Sequence, residues 1–324
     1  MLRTCALIDM DCFYVAVERA LDPSLVGVPM AVVQYNPYQN DRGGGSNNVG
    51  GVVSLPAEPP AARHVVRGGK VLMPSAQNGS IIAVSYEARA RGVSRFFRGR
   101  EALAACPEIV LVQVPTAHGK SDMSIYRTYG ARTLKIIREV CGAGVLVEKA
   151  SVDEMFLDLT LPAKALLSES PDPSAIFAEA LAAGTHVAGA AEAAEEASRG
   201  AQPTGVLARN SFRAGHAGQV LRPVDSASEA WWTRGALEWS PDEALLAAGA
   251  VIVSRARAAV TSRLGFTCSA GIAANKLLAK LCGGVLYATR VVLHVCCTPH
   301  VLCCMCLHTT HSAACHMPRC CRSA

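Results

Sequence analysis

Residues 5–18 read CALIDMDCFYVAVE: an apolar run that ends in Asp9 and Asp11 and passes at once into two aromatic rings, Phe13 and Tyr14. The run has the length and composition of a buried strand. FYVAVERAL, from Phe13 to Leu21, has helical spacing, with Val15, Val17 and Leu21 available for burial. PMAVVQY, residues 29–35, supplies a second strand, so the chain opens as β-α-β. A carboxylate beside a half-buried strand costs several kcal/mol unless it is used or paired. What Asp9 is for therefore governs how the rest is read.

A second stretch repeats the pattern. KASVDEMFLDLT, residues 149–160, sets Asp153 and Glu154 in a tight corner between two apolar runs, GVLVEKAS and MFLDLT. If these strands neighbour the first in one sheet, Asp9, Asp153 and Glu154 meet at one edge, and such a cluster repels itself unless a cation neutralises it. Hard oxygen donors of this kind suit Mg²⁺ with phosphate oxygens, and two ions roughly 3.5–4 Å apart form a clamp for displacement at phosphorus. Taken singly, each acid also reads as a turn residue, a helix cap or a solvated hairpin tip.

The β/α alternation continues through SIIAVS, the helix YEARARGV, the helix REALAAC closed by Pro107, and the strand IVLVQVP. SDMSIYRTYGARTLKIIREVC is an amphipathic helix with Ile125, Tyr129, Leu134, Ile137 and Val140 on or near one stripe. PDEALLAAGAVIVSRARAAVTSRLG is a long helix with Pro241 as its start and Gly265 as its stop. FTCSAGIA is a strand, and ANKLLAKLC opens the next helix. Three stretches interrupt this order. Residues 36–79, rich in Gly, Pro and Asn, read as a disordered insertion. Residues 161–240 are Ala- and Gly-rich and short of packing surface, a variable excursion. Residues 284–324 form a Cys-rich tail without sustained periodicity, expected to be disordered.

The 324 residues and 51% hydrophobic content allow two or more domains with a real core. A formal charge of +5 permits a nucleic-acid partner without requiring one. The first apolar run is broken by two aspartates and lacks a basic n-region, so an intracellular protein is expected. Cys5, Cys12, Cys106, Cys141 and Cys268, in apolar or helical contexts, read as reduced core thiols. In the tail, VVLHVCCTPHVLCCMC is too short and too interrupted to span a membrane, and no membrane partner is expected. Cys303, Cys306, His308 and His311 are too tightly spaced for a standard zinc finger.

Five blocks, IDMDCFYVAVE, AVVQY, IIAVSYEARARGVSR, KASVDEMFLDLT and FTCSAGIAANKLLAKL, stand in the order found in Y-family translesion DNA polymerases, which the chain resembles over roughly residues 2–283. The resemblance implies an α+β fold: a palm of β-α-β-β-α-β sheet with helices on one face (residues 1–12 and 122–283) and a small fingers domain (residues 13–121). It implies a DNA-directed DNA polymerase that extends a primer opposite damaged template by two-metal phosphoryl transfer, using Mg²⁺, with Mn²⁺ as an alternative. Asp9, Asp153 and Glu154 would be catalytic and bind metal, with Met10 lending its carbonyl and Asp11 assisting. Tyr14 would sit under the nucleotide sugar and reject a 2′-hydroxyl, with Phe13 beside it. Tyr86, Arg89 and Lys276 would hold the triphosphate, Arg95 would contact the base, and Gln34 would lie near the templating base. Ala274 departs from the bulkier residue the family keeps before Asn-Lys.

Primer-template DNA and deoxynucleoside triphosphates are the partners implied, and the nucleus the compartment. A sliding-clamp contact is expected of the family, but no motif for it is legible here. Nor is a thumb or little-finger domain, so weak primer-template binding is expected, because those domains supply phosphate contacts. A second reading is a catalytically crippled fragment that binds nucleotide or a partner. A third, a palm-type cyclase, explains the carboxylates but not Tyr86, Arg89 and Lys276.

Overall fold

The computed structural model describes residues 3–35, 64–66, 79–118, 120–170, 172–188, 226–233, 235, 239–285 and 291–294. In chain order the elements are β1 (Cys5–Met10), α1 (Phe13–Leu21), β2 (Met30–Val33), β3 (His64–Val66), β4 (Ile81–Val84), α2 (Tyr86–Ala90), α3 (Gly99–Ala105), β5 (Val110–Gln113), β6 (Thr116–Ala117), β7 (Lys120–Ser121) and α4 (Ser124–Cys141). There follow β8 (Leu146–Lys149), β9 (Glu154–Asp158), α5 (Thr160–Glu169), α6 (Pro173–Ala182), β10 (His186–Ala188), α7 (Ser226–Trp232), α8 (Pro241–Leu264), β11 (Cys268–Ala273), α9 (Lys276–Val285) and β12 (Val291–His294).

The architecture is α+β, as expected. A six-stranded sheet runs β10-β12-β11-β1-β9-β8, and a four-stranded sheet runs β3-β5-β2-β4. Strand β1 lies inside the large sheet, antiparallel to both β11 and β9. Its position explains why its sequence is apolar on both sides of the pleat, since successive side chains point to opposite faces. Ala6, Ile8 and Met10 enter the main core, whereas Leu7 packs on the other face with Leu278 and Ala279 of α9.

That second face corrects one detail. Helices cover both faces of the large sheet, because α9 lies flat on β11 and β1 opposite the face that carries α8. Its close seat depends on Gly271: a Cβ there would come within 2.1 Å of the Ala279 carbonyl oxygen and 2.4 Å of the Gly283 nitrogen.

The long helix α8 begins and ends where the sequence places it. Pro241 occupies its first turn, Ser240 and Glu243 form a capping box, and Gly265 closes it in the left-handed conformation at φ 71°. Its 24 residues are long and apolar enough to cross a membrane, but Leu245–Val253, Ala256 and Val260 are buried in the protein's own core. The buried face of α4 is rotated from the expected stripe. Tyr126, Gly130, Thr133, Ile136, Ile137 and Cys141 are inside, while Ile125, Tyr129, Leu134 and Val140 are only half-buried. The rotation follows from tertiary partners: the Tyr126 hydroxyl donates to buried Glu18 of α1 at 2.6 Å.

The three interrupting stretches are not wholly irregular. Residues 64–66, within the expected insertion, form an antiparallel edge strand on β5. The excursion supplies α5, α6, β10 and α7, with Ile176, Phe177 and Trp232 buried and Trp239 stacked on Phe177 at 3.6 Å between ring centroids. Packing surface therefore comes from a few large rings rather than from periodicity. Residues 291–294 of the tail run parallel to β10 and β11. Residues 36–63 and 67–78 of the insertion, residues 189–225 of the excursion, and Cys303, Cys306, His308 and His311 of the tail lie outside the described residues. The five thiols expected to be reduced are free, four buried and Cys12 partly so.

Candidate active site

Register alone brings the acids together. In the β1–β9 pair Asp9 stands opposite Glu154, and the Met10 amide donates to the Asp153 carbonyl at 3.0 Å. The corner before β9 is held by Ser151, whose hydroxyl accepts from the amides of Asp153 at 3.1 Å and Glu154 at 3.0 Å and donates to the Asp153 carboxylate. Helix α4 passes directly beneath: a Cβ at Gly130 would lie 2.4 Å from the Val152 carbonyl oxygen, so only glycine lets the helix support this turn.

Electrostatics reports the crowding. The Asp9 carboxyl is pushed up to about 6, first by burial and then by the charges of Asp153 and Glu154, with Lys280 pulling the other way. The Tyr14 phenol is raised by burial and by Asp153, which sets that ring beside the acidic edge. Tyr14 is also held from behind, edge-on against Tyr126 at 4.9 Å and Phe13 at 5.7 Å between centroids. Phe13 itself is 1% exposed and packs on Phe266, so it supports Tyr14 from the core and has no face left for a ligand.

Between β1 and α1 the chain makes a strained corner. Cys12 adopts φ 45°, a left-handed conformation rare for a residue with a Cβ. Its thiol donates to the Val84 carbonyl at 3.2 Å, while the Asp11 amide donates to the Thr267 carbonyl at 2.9 Å. The corner thereby ties the large sheet to β4. From β4 the chain enters α2, capped by Ser85, whose hydroxyl accepts from the Ala88 amide at 3.2 Å. Tyr86 and Arg89 are adjacent there, the guanidinium 5.3 Å from the ring centroid, and burial with the charge of Asp11 raises the Tyr86 phenol.

The other sequence-derived candidates lie apart from this cluster. Arg95 is exposed over the Phe96 ring at 5.8 Å, and Gln34 is exposed at the end of β2. Lys276 pairs with Glu148 of β8 and sits over Phe156 at 5.6 Å. The ammonium that does reach the acids is Lys280, one helical turn on, which pairs with Glu154. ANKLLAKL carries two lysines at i, i+4 and hence on one helix face, but that spacing does not say which of them meets the acids.

The donor set, carboxylate oxygens of Asp9, Asp153 and Glu154 on paired strands, has the hardness and charge that suit a divalent cation. Among the described residues no group of three or more His, Cys, Asp and Glu side chains is gathered for a metal as it stands. Two of the three acids are partnered within the chain, Glu154 with Lys280 and Asp153 with Ser151.

The impB/mucB/samB family model matches residues 8–284, which takes in every residue of this cluster and both sheets apart from the start of β1 and strand β12. The chain belongs to that family. It is 35% identical to DNA polymerase eta of Arabidopsis thaliana over 283 residues, 87% of this chain and 32% of that protein. It is 32% identical to DNA polymerase eta of Drosophila melanogaster over 296 residues, 87% of this chain and 26% of that protein. DNA polymerase IV of Bacillus velezensis is 31% identical over 153 residues, 47% of this chain and 25% of that protein. The chain thus spans about a third or less of the length of these polymerases. Membership of the impB/mucB/samB family implies chemistry that uses a divalent cation.

Proposed function

We propose that this chain carries the catalytic centre of a translesion DNA-directed DNA polymerase, with the large sheet as palm and the four-stranded sheet with α2 and α3 as fingers. The observation that carries the reading is the register that sets Asp9 against Glu154 with Asp153 at the adjoining corner. Its substrates are primer-template DNA and deoxynucleoside triphosphates, and with eukaryotic DNA polymerases among its relatives its compartment is the nucleus. A sliding-clamp contact belongs to the same reading, with no residue of this chain assigned to it.

Asp9, Asp153 and Glu154, with the Met10 carbonyl, would hold Mg²⁺ or Mn²⁺, two ions in all, whose chemistry is to lower the pKa of the primer hydroxyl and stabilise charge on the phosphates. Tyr14, braced by Tyr126 and Phe13, closes the floor under the sugar and leaves no room for a 2′-hydroxyl. Tyr86 and Arg89 offer a phenol and a fork of guanidinium donors to triphosphate oxygens. Arg95 and Gln34, both exposed, face the base pair from the fingers. Lys276 reaches the triphosphate only by leaving Glu148, so its part is the least supported by the geometry.

Primer extension tests this. The chain is expected to add nucleotides to a primer in Mg²⁺, and Asp153→Ala to lower the rate by roughly a hundredfold or more. Equal absence of extension in both proteins would favour a fragment that binds nucleotide without extending primers.

A further inference from the structure

Lys280 reaches into the acidic edge. Its ammonium pairs with Glu154 and acts on Asp9 against the charges of Asp153, Glu154 and Asp11. The Glu154 side chain is 18% exposed and that of Lys280 52%, so the lysine can leave into water at small cost while the glutamate cannot. The backbone that presents Lys280 is fixed: α9 is seated on Gly271, and its neighbour one turn earlier, Lys276, is tied to Glu148. Four acids, Asp9, Asp11, Asp153 and Glu154, act on this edge. A divalent ion on the same oxygens would bring like charge within a few ångströms of the ammonium, a repulsion that solvent screens at this half-exposed side chain.

We infer that Lys280 is an internal counter-cation, pairing with Glu154 in the metal-free protein and giving up that oxygen when a divalent ion binds. The inference rests on the reading of Asp9, Asp153 and Glu154 as metal ligands and adds a device that sets how tightly they bind. Lys280 acts through Glu154 and is a positioning residue. In the metal-free state it holds the carboxylate in place without the self-repulsion an uncompensated cluster would suffer, at the cost of competing with the ion.

Manganese binding followed by electron paramagnetic resonance, together with thermal melts in EDTA and in Mg²⁺, tests this. Lys280→Met keeps the stem and removes the charge. It is expected to bind Mn²⁺ roughly two- to fivefold more tightly than the unaltered chain, the range for a pair of this exposure. It should also melt lower in EDTA and gain more from Mg²⁺. Lys280→Arg should behave as the unaltered chain, as should Lys135→Met, which removes an exposed ammonium paired with Glu139 on α4. In the unaltered protein the Lys280 ammonium resonance should be protected in EDTA and lost to exchange in Mg²⁺, a readout that needs no variant to fold. Mn²⁺ affinity in Lys280→Met equal to or weaker than in the unaltered chain, or an ammonium signal indifferent to Mg²⁺, would overturn the inference and leave the ligand reading standing. Folded protein that binds no Mn²⁺, with or without Lys280, would overturn both.

Discussion

Asp9 is the residue on which most turns. Its carboxyl titrates near 6 in the folded chain against an ordinary value of 3.8, so between these values the folded state holds a proton the unfolded state has released. Stability of the metal-free protein should therefore fall as pH rises from about 4 to about 6 through this group, with the whole penalty present above that window. Asp9→Asn should remove that component and raise the melting temperature at pH 7.5 in EDTA, which thermal melts across pH 4.5–7.5 will show; an unchanged profile would mean that neither burial nor the neighbouring acids perturb the Asp9 carboxyl. Tyr14 carries a second expectation. If its ring bars a 2′-hydroxyl, Tyr14→Ala should narrow the preference for deoxy- over ribonucleotides by roughly ten- to hundredfold in single-nucleotide incorporation. Asp9, Asp153 and Glu154 were legible in the sequence because each acid adjoins an apolar strand. Ser151 and Lys280 were not, because which oxygen each one meets depends on how α9 and the corner before β9 cross in space.

At the scale of elements, two glycines set the geometry of the site from outside it. Gly130→Ala would drive a methyl into the Val152 carbonyl, and Gly271→Ala into the backbone of α9. Each should cost about 1–3 kcal/mol in urea unfolding, as overpacking does. Gly130→Ala should in addition weaken Mn²⁺ binding, because the displaced carbonyl is one residue from Asp153, and a loss of stability with unaltered metal affinity would show that α4 does not support the corner. Strands β1, β2, β4, β5, β8, β9 and β11 and the helices between them could be read from periodicity, and the ends of α8 from Pro241 and Gly265, whereas β3 and β10 lie in stretches read as irregular. The rotation of α4 could not, since Glu18 and Tyr126 are 108 positions apart in the chain and select each other only on folding. Strand β12 escaped notice because four residues inside a Cys-rich stretch give too short a period to detect.

Across the whole molecule the two sheets share one core. Val15 and Val17 of α1, Met30 and Val32 of β2, and Val110 and Val112 of β5 belong to the same buried cluster as Ile8, Met155 and Ile272 of the large sheet. Arg19 adds a polar tie, reaching the Leu25 and Val28 carbonyls at 3.1 Å and Glu87 of α2 at 2.8 Å. All three tryptophans lie in one aromatic group, with Trp232 buried in that same core. Tryptophan fluorescence and far-ultraviolet circular dichroism should therefore report a single coincident unfolding transition, whereas separate midpoints would show that the sheets fold independently. The most direct test of the carboxylate cluster is a calorimetric titration of a non-hydrolysable dATP analogue, with and without Mg²⁺, into the unaltered chain and into Asp153→Ala. If Asp9, Asp153 and Glu154 hold divalent ions against nucleotide phosphates, binding will require Mg²⁺ and will weaken by roughly tenfold or more in the variant; binding of equal strength without Mg²⁺ and without Asp153 would contradict it.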